Sequence, residues 1–190
     1  MDRILVYDKT FDNTDFTEKP LQLGDYENCS FINCDLSNAV LSEINFTECE
    51  FTGCNLSLAK VSQTAFRDIV FKDCKLLGLH FEYCNIFLFK VDFENSLLNL
   101  SSFYQLKIKN TRFKGCSLHE VDFTETELTG SVFDNCDMAG AIFDNSILEK
   151  ADFRTSGNYS INPETNRIKK AKFSVTGITG LLDKYDIEIE

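Results

Sequence analysis

The chain has 190 residues and a formal net charge of −11, with 19 Lys and Arg against 30 Asp and Glu, a balance that argues against nucleic acid as a direct partner. No apolar run approaches the roughly 18 residues of a membrane helix, and Met1-Asp2-Arg3 lacks a secretory pattern, so one cytoplasmic domain with no membrane partner is expected. The two histidines, His80 and His119, stand beside no arrangement suggesting a nucleophile or a metal, and no Gly-rich phosphate loop occurs.

Residues 1–10, with Ile4-Leu5-Val6-Tyr7, are expected to cap the N-terminal end. From Phe11 onward an apolar residue stands at every fifth position to Ile86 and, after a two-residue slip, from Phe93 to Phe153, giving 29 marks that include 15 of the 18 phenylalanines. A period of five matches neither the helical repeat nor the alternation of a flat strand, and points to a repeat architecture.

Two residues before a mark, a side chain on an extended segment points to the same side as the mark itself. All eight cysteines occupy that slot (Cys29, Cys34, Cys49, Cys54, Cys74, Cys84, Cys116 and Cys136), which they share with Ala, Ser and Thr. Each unit thus turns one large and one small side chain inward under a polar skin. The cysteine spacings follow the repeat and none is C-x2-C, so buried thiols are expected, with no disulfide, metal or cofactor. The Asn-x-Ser/Thr triplets, such as Asn45-Phe46-Thr47, are by-products of the same repeat and carry no glycosylation signal.

Units such as Cys29-Ser30-Phe31-Ile32-Asn33, Cys54-Asn55-Leu56-Ser57-Leu58 and Ala151-Asp152-Phe153 resemble the A-(D/N)-L-x-x signature of the pentapeptide-repeat proteins, over residues 11–153. The resemblance implies an all-β fold, a right-handed quadrilateral β-helix of about seven to eight coils, each closed by four units. Sorted by twenties, one face reads Phe11, Phe31, Phe51, Phe71, Phe93, Phe113, Phe133 and Phe153, and its order survives the slip. Residues 87–92 are therefore a local bulge, in which Phe87 and Phe89 either fold onto a neighbouring coil or anchor a partner. A rod packed along its axis has no cleft, so neither enzymatic activity nor catalytic residues are expected.

Beyond Phe153 the strict ruler ends. Ile168 and Phe173 stay in register with Phe153, so residues 154–190 are expected to hold a distorted last coil, interrupted at Asn162-Pro163-Glu164. A short helix capped by Ser174 and running through Tyr185 should follow, with Gly177 and Gly180 against it, then a short strand over Asp186-Ile187-Glu188-Ile189. This tail is similar to that of pentapeptide-repeat proteins that protect topoisomerases, where it caps the rod and joins two rods. The implied homodimer interface is Leu181, Leu182, Tyr185 and Ile187.

Charge is distributed in blocks. Residues 1–50 hold eleven acids and three bases, residues 51–119 five acids and nine bases, and residues 120–153 nine acids against Lys150 alone. Resemblance to the Qnr-type and albicidin-resistance members implies a DNA-mimicking dimer that binds DNA gyrase or topoisomerase IV and shields it from inhibitors. Its candidate partner-binding acids are Glu120, Asp122, Glu125, Glu127, Asp134, Asp137 and Asp144. The alternative is a cytoplasmic interaction or scaffold protein with no topoisomerase role, since these acids fall on all four faces.

Overall fold

A computed structural model describes residues 3–188. It is a four-sided β-helix of about seven coils, almost wholly extended chain, as the five-residue period requires. Eleven short strands carry it: β1 (Ile4–Tyr7), β2 (Thr10–Asp12), β3 (Gly24–Glu27), β4 (Ser30–Ile32), β5 (Asn45–Thr47), β6 (Glu50–Thr52), β7 (Ala65–Arg67), β8 (Ile69–Lys72), β9 (Val91–Glu94), β10 (Arg112–Lys114) and β11 (Val132–Asp134). One parallel sheet runs β1-β3-β5-β7 and another β11-β10-β9-β8-β6-β4-β2.

We number the faces by their inward columns: face 1 from Phe11, face 2 from Phe16, face 3 from Leu21 and face 4 from Tyr26. Face 1 pairs Phe11 with Phe31, Phe31 with Phe51 and Phe51 with Phe71, one step of twenty residues per coil. Faces 2 and 3 are held by single bridges at the same step, such as Asp35 to Asn55 and Ser102 to Asp122.

The phenylalanine column is continuous. Phe31 stacks on Phe51 at 4.6 Å, Phe113 on Phe133 at 4.9 Å with planes 2° apart, and Phe153 on Phe173 at 5.2 Å. From face 3, Phe103 meets Phe113 edge-on at 5.9 Å and 89°. Aromatic quadrupoles favour both offset stacking and edge-to-face contact, and rings such as Phe93, Phe113 and Phe133 have both.

The small slot does more than leave room. Its hydroxyls and thiols donate to carbonyls of the preceding coil: Thr64 Oγ1 to Leu41 O at 2.7 Å, Ser146 Oγ to Phe123 O at 2.7 Å, Cys74 Sγ to Phe51 O at 3.3 Å. All eight cysteines are buried and unpaired as disulfides. Burial pushes the Cys49 thiol up to about 12 and also raises that of Cys84.

Two residues past most marks the chain turns through the left-handed region, as at Asn28, Asn33, Asp68, Asp73 and Asn135. Asn and Asp tolerate this conformation better than other non-glycine residues, and so recur at the corners.

Three expectations need correction. Ile4–Tyr7 is not a separate cap: β1 pairs with β3, placing Val6 opposite Tyr26, so the ruler begins one unit earlier. Arg3 ties this rung down through Asp25 (2.6 Å), Gly24 O (3.1 Å) and Glu43 O (2.9 Å), and Lys9 Nζ covers the open end of the stack 4.7 Å from the Phe11 ring.

Ile86 is not an inward mark. With two extra residues to accommodate, the chain leaves register between Asn85, bridged to Ala65, and Val91, paired with Ile69. Ile86 is 72% exposed, while Phe89 turns in, partly buried and edge-on to Phe81 at 6.3 Å.

The tail helix takes the tighter 3₁₀ form, over Thr176–Leu181 and Asp183–Tyr185, and residues 186–188 form no strand; Ile189 lies outside the described residues. Ser174 Oγ accepts the Gly177 N–H at 3.0 Å, one residue ahead of the helix cap position at Val175. The two glycines have a packing role. A Cβ on Gly180 would lie 2.0 Å from the Tyr159 carbonyl oxygen, and one on Gly177 2.2 Å from the Tyr159 hydroxyl. Their absence lets the tail lie flat on the last coil, where Ile161 N donates to Gly180 O at 2.8 Å.

Candidate protein-interaction surface

In each coil the residues on either side of a mark project outward, so every surface side chain has a face and a row. Asp137 and Glu120 belong to face 2 and its edge, Asp122, Glu125 and Asp144 to face 3 and its edge, Glu127 to face 4 and Asp134 to face 1. The acids therefore encircle the rod, as their sequence positions predict.

What they meet differs from side to side. On faces 4 and 1, bases one coil away neutralise them: Lys109 reaches Glu127 at 2.8 Å, Lys114 reaches Glu94 at 2.7 Å, and Arg167 reaches Glu149 at 2.7 Å. Asp152 is held below the usual carboxylate range by its hydrogen bonds with Arg154.

Between the slip and residue 146, faces 2 and 3 have no Lys or Arg in that position. The stretches that build them past the slip, residues 97–106, 117–126 and 137–146, contain five acids and neither Lys nor Arg. The intervening stretches on faces 4 and 1, residues 87–96, 107–116, 127–136, 147–156 and 167–176, contain eleven bases and six acids. This half of the rod is thus acidic on one side and mildly basic on the other, whereas in the first half faces 4 and 1 are the more acidic pair, with eight acids and three bases over residues 5–14, 25–34, 45–54 and 65–74. Division into thirds along the chain hid this contrast; division by twenties, already used for the phenylalanines, exposes it.

Both histidines stand on the acidic side. His80 Nδ1 lies 2.8 Å from Glu82 Oε1, and His119 Nε2 lies 2.7 Å from Asp137 Oδ2. Hydrogen bonds from Asn158 and from His119 keep the Asp137 carboxyl below its ordinary range. Each histidine thus faces a single carboxylate, and among the described residues no group of three or more His, Cys, Asp and Glu could hold a metal.

The bulge separates the two phenylalanines grouped by sequence. Phe87 is 66% exposed between the equally open Ile86 and Leu88, with the Arg67 guanidinium 5.9 Å from its ring, whereas Phe89 belongs to the core. Of the tail residues, Leu181 packs on the core and Leu182 is half-buried, while Tyr185 and Ile187 are exposed. Val175 and Ile178 extend that apolar surface. The sequence reading missed both: Val175 falls off the five-residue ruler, and Ile178, five residues past Phe173, stands where the ruler would turn it inward.

A family model described as a pentapeptide repeat region matches residues 24–99 and 86–158. No curated protein matches the chain. Among solved structures, full-length QnrB1, a plasmid-mediated fluoroquinolone resistance protein, is 17% identical, with 96% of this chain and 100% of QnrB1 covered and a TM-score of 0.49. HetL, a pentapeptide repeat protein involved in heterocyst differentiation regulation in Nostoc sp. strain PCC 7120, is 16% identical, with 90% and 87% covered and a TM-score of 0.41.

Proposed function

Because the chain belongs to the pentapeptide-repeat family, we propose that it is a protein-binding β-helix whose acidic side takes the place of DNA on a type II topoisomerase, gyrase or topoisomerase IV. The observation that carries this reading is the one-sided charge: five acids with no Lys or Arg over three successive coils of faces 2 and 3. With coils about 4.8 Å apart, that is about one negative charge per 3 Å of axis. One strand of duplex DNA presents a phosphate about every 3.4 Å. A protein saddle lined with Lys and Arg for DNA would meet a similar linear density here, on a chain that repels DNA itself.

Two rods joined through Tyr185 and Ile187 of their tails would align two acidic sides, and a cytoplasmic location would bring them to the enzyme. Purified gyrase in a supercoiling assay, with and without a quinolone, tests the reading: inhibition or drug protection at micromolar protein is expected, and the absence of both would sink it.

A second reading, a scaffold that grips a partner through the bulge, is favoured by the exposed run Ile86, Phe87 and Leu88. It predicts a stable partner in a pull-down that is lost in Phe87→Ser while supercoiling is untouched.

A further inference from the structure

Faces 4 and 1 change the sign of their charge along the rod. Over residues 5–14, 25–34, 45–54 and 65–74 they carry −5, from eight acids and three bases. Over residues 107–116, 127–136, 147–156 and 167–176 they carry +6, from ten bases and four acids. The exposed run Ile86, Phe87 and Leu88 lies between the two halves.

The corner shared by these faces shows the change in single file. It is a column of nine left-handed residues, one at each level, with four before Leu88 and four after it. Asp8, Glu48 and Asp68 stand in the first half and Lys150 and Lys170 in the second, and the remaining members are Asn or Gly. All five charged residues are exposed, and among the described residues only Asp68 has an ion-pair partner, Lys90.

A column of this kind is complementary to itself in one orientation only. Beside a parallel copy it sets acid on acid and base on base. Turned end for end about a two-fold axis at Leu88, it sets Asp8 opposite Lys170 and places Lys150 one level from both Asp8 and Glu48. The same rotation brings Leu88 onto its own copy, so that the apolar run leaves water at the centre and the charges flank it. An isologous contact makes every such pairing twice, and an apolar centre with a polar rim is the anatomy of specific interfaces.

The net charge of −11 opposes association of two copies. The acids of faces 2 and 3 past the slip, however, lie diagonally across the rod from this corner, and charges farther apart than about 8 Å are screened at physiological salt. Eight steps of about 4.8 Å make a contact about 40 Å long, and a strip about 12 Å broad buries about 500 Å² on each rod. The total of about 1,000 Å² stands at the lower end for specific interfaces, where micromolar affinity is expected.

We propose that the corner between faces 4 and 1 is the interface of an antiparallel dimer, occupied by a second copy of this chain. The dimer goes beyond the topoisomerase reading: it leaves faces 2 and 3 outward on both rods and uses a surface separate from the tail.

The full chain carrying Tyr185→Ser and Ile187→Ser, which remove the tail contact, would be followed by sedimentation equilibrium up to about 200 μM, with a micromolar Kd expected. Lys150→Glu with Lys170→Glu, and separately Asp8→Lys with Glu48→Lys, should each raise Kd about tenfold or more. An equimolar mixture of those two variants should regain the original Kd, because each supplies the charges the other has lost. Lys already occupies this left-handed position at 150 and 170, so the fold accepts it at 8 and 48. Phe87→Ser with Leu88→Ser should also raise Kd about tenfold, with the melting temperature unchanged. A monomer throughout in this background, or a mixture no tighter than its separate components, would overturn the interface. A dimer that forms only when Tyr185 and Ile187 are restored would keep the tail contact and remove this one. Dimerisation with an inert supercoiling assay would keep the interface and remove the topoisomerase reading, and the reverse result would do the opposite.

Discussion

Faces 4 and 1 and faces 2 and 3 enclose the same core yet have unlike surfaces. On the first pair a basic row follows an acidic one at a step of twenty residues, so that Lys109 meets Glu127 and Arg167 lies across from Glu149. On the second pair Glu120, Asp122, Glu125 and Asp144 have no basic row to meet. Both pairs hold their inward residues equally well: Leu118 and Phe123 are as buried as Phe113 and Leu128. In a β-helix the inward columns settle stability, and each outer column is free to take its own charge.

The largest expected effect ignores sidedness. Phe113→Ala removes a ring stacked on Phe93 and Phe133, and should cost about 3–5 kcal/mol, lowering the denaturant midpoint as one transition seen on every face. A shift confined to face 1 would contradict a shared core.

Next in size is the bulge, where Phe89→Ser should destabilise the rod by about 1–3 kcal/mol through a lost apolar contact, while Phe87→Ser changes thermal stability by less than about 0.5 kcal/mol. Equal effects from the two would return Phe87 to the core.

Function should follow the opposite pattern. Reversal of Asp122, Glu125, Asp137 and Asp144 to Lys is expected to abolish any effect on gyrase supercoiling with little change in melting temperature. Reversal of Glu127, Glu149 and Asp152 should lower the melting temperature by breaking ion pairs and leave the gyrase effect in place. A gyrase effect that survives the first set and is lost with the second would invert the assignment of the binding side.

Titration acts through the core on every side alike. Burial raises Cys49 from 9.0, and Tyr26 from 10.0, each to about 12, so the neutral forms contribute their full stability below about pH 9 and lose it as pH climbs toward 12. Urea midpoints should fall over that window, and the eight thiols should react with a disulfide reagent at neutral pH only on unfolding. Rapid labelling of native protein at pH 7 would refute the burial.

The smallest effect is a single exposed pair: Lys109→Ala should cost about 0.2–1 kcal/mol and the loss should shrink with added salt.

Much of this is legible in the residues because the period of five is set by core volume, which sequence records directly. Phe31, Phe113 and even Phe173 can be placed by counting. Counting stops where the chain has a choice: between Ile86 and Phe89 either residue could turn inward, and the geometry of the insertion, not hydrophobicity, decides for Phe89. The 3₁₀ tail was hidden for a similar reason, since Gly177 and Gly180 argue against a helix in isolation and only the proximity of Tyr159 explains them. The corners could have been read, because Asn, Asp or Gly two residues past a mark is the signal of a left-handed turn.

The two-residue insertion leaves one more lesson. Among the described residues no bridge joins Asn85 to Lys107 on face 4, while Val70 to Asp92, Lys75 to Leu97 and His80 to Ser102 carry faces 1, 2 and 3 past the same level. Three seams stay closed while the fourth is open. At this site the chain can be lengthened without altering the pitch of the rod, which makes residues 86–88 a natural graft point: a peptide inserted there would be displayed on a rigid column with its ends already fixed by Asn85 and Val91.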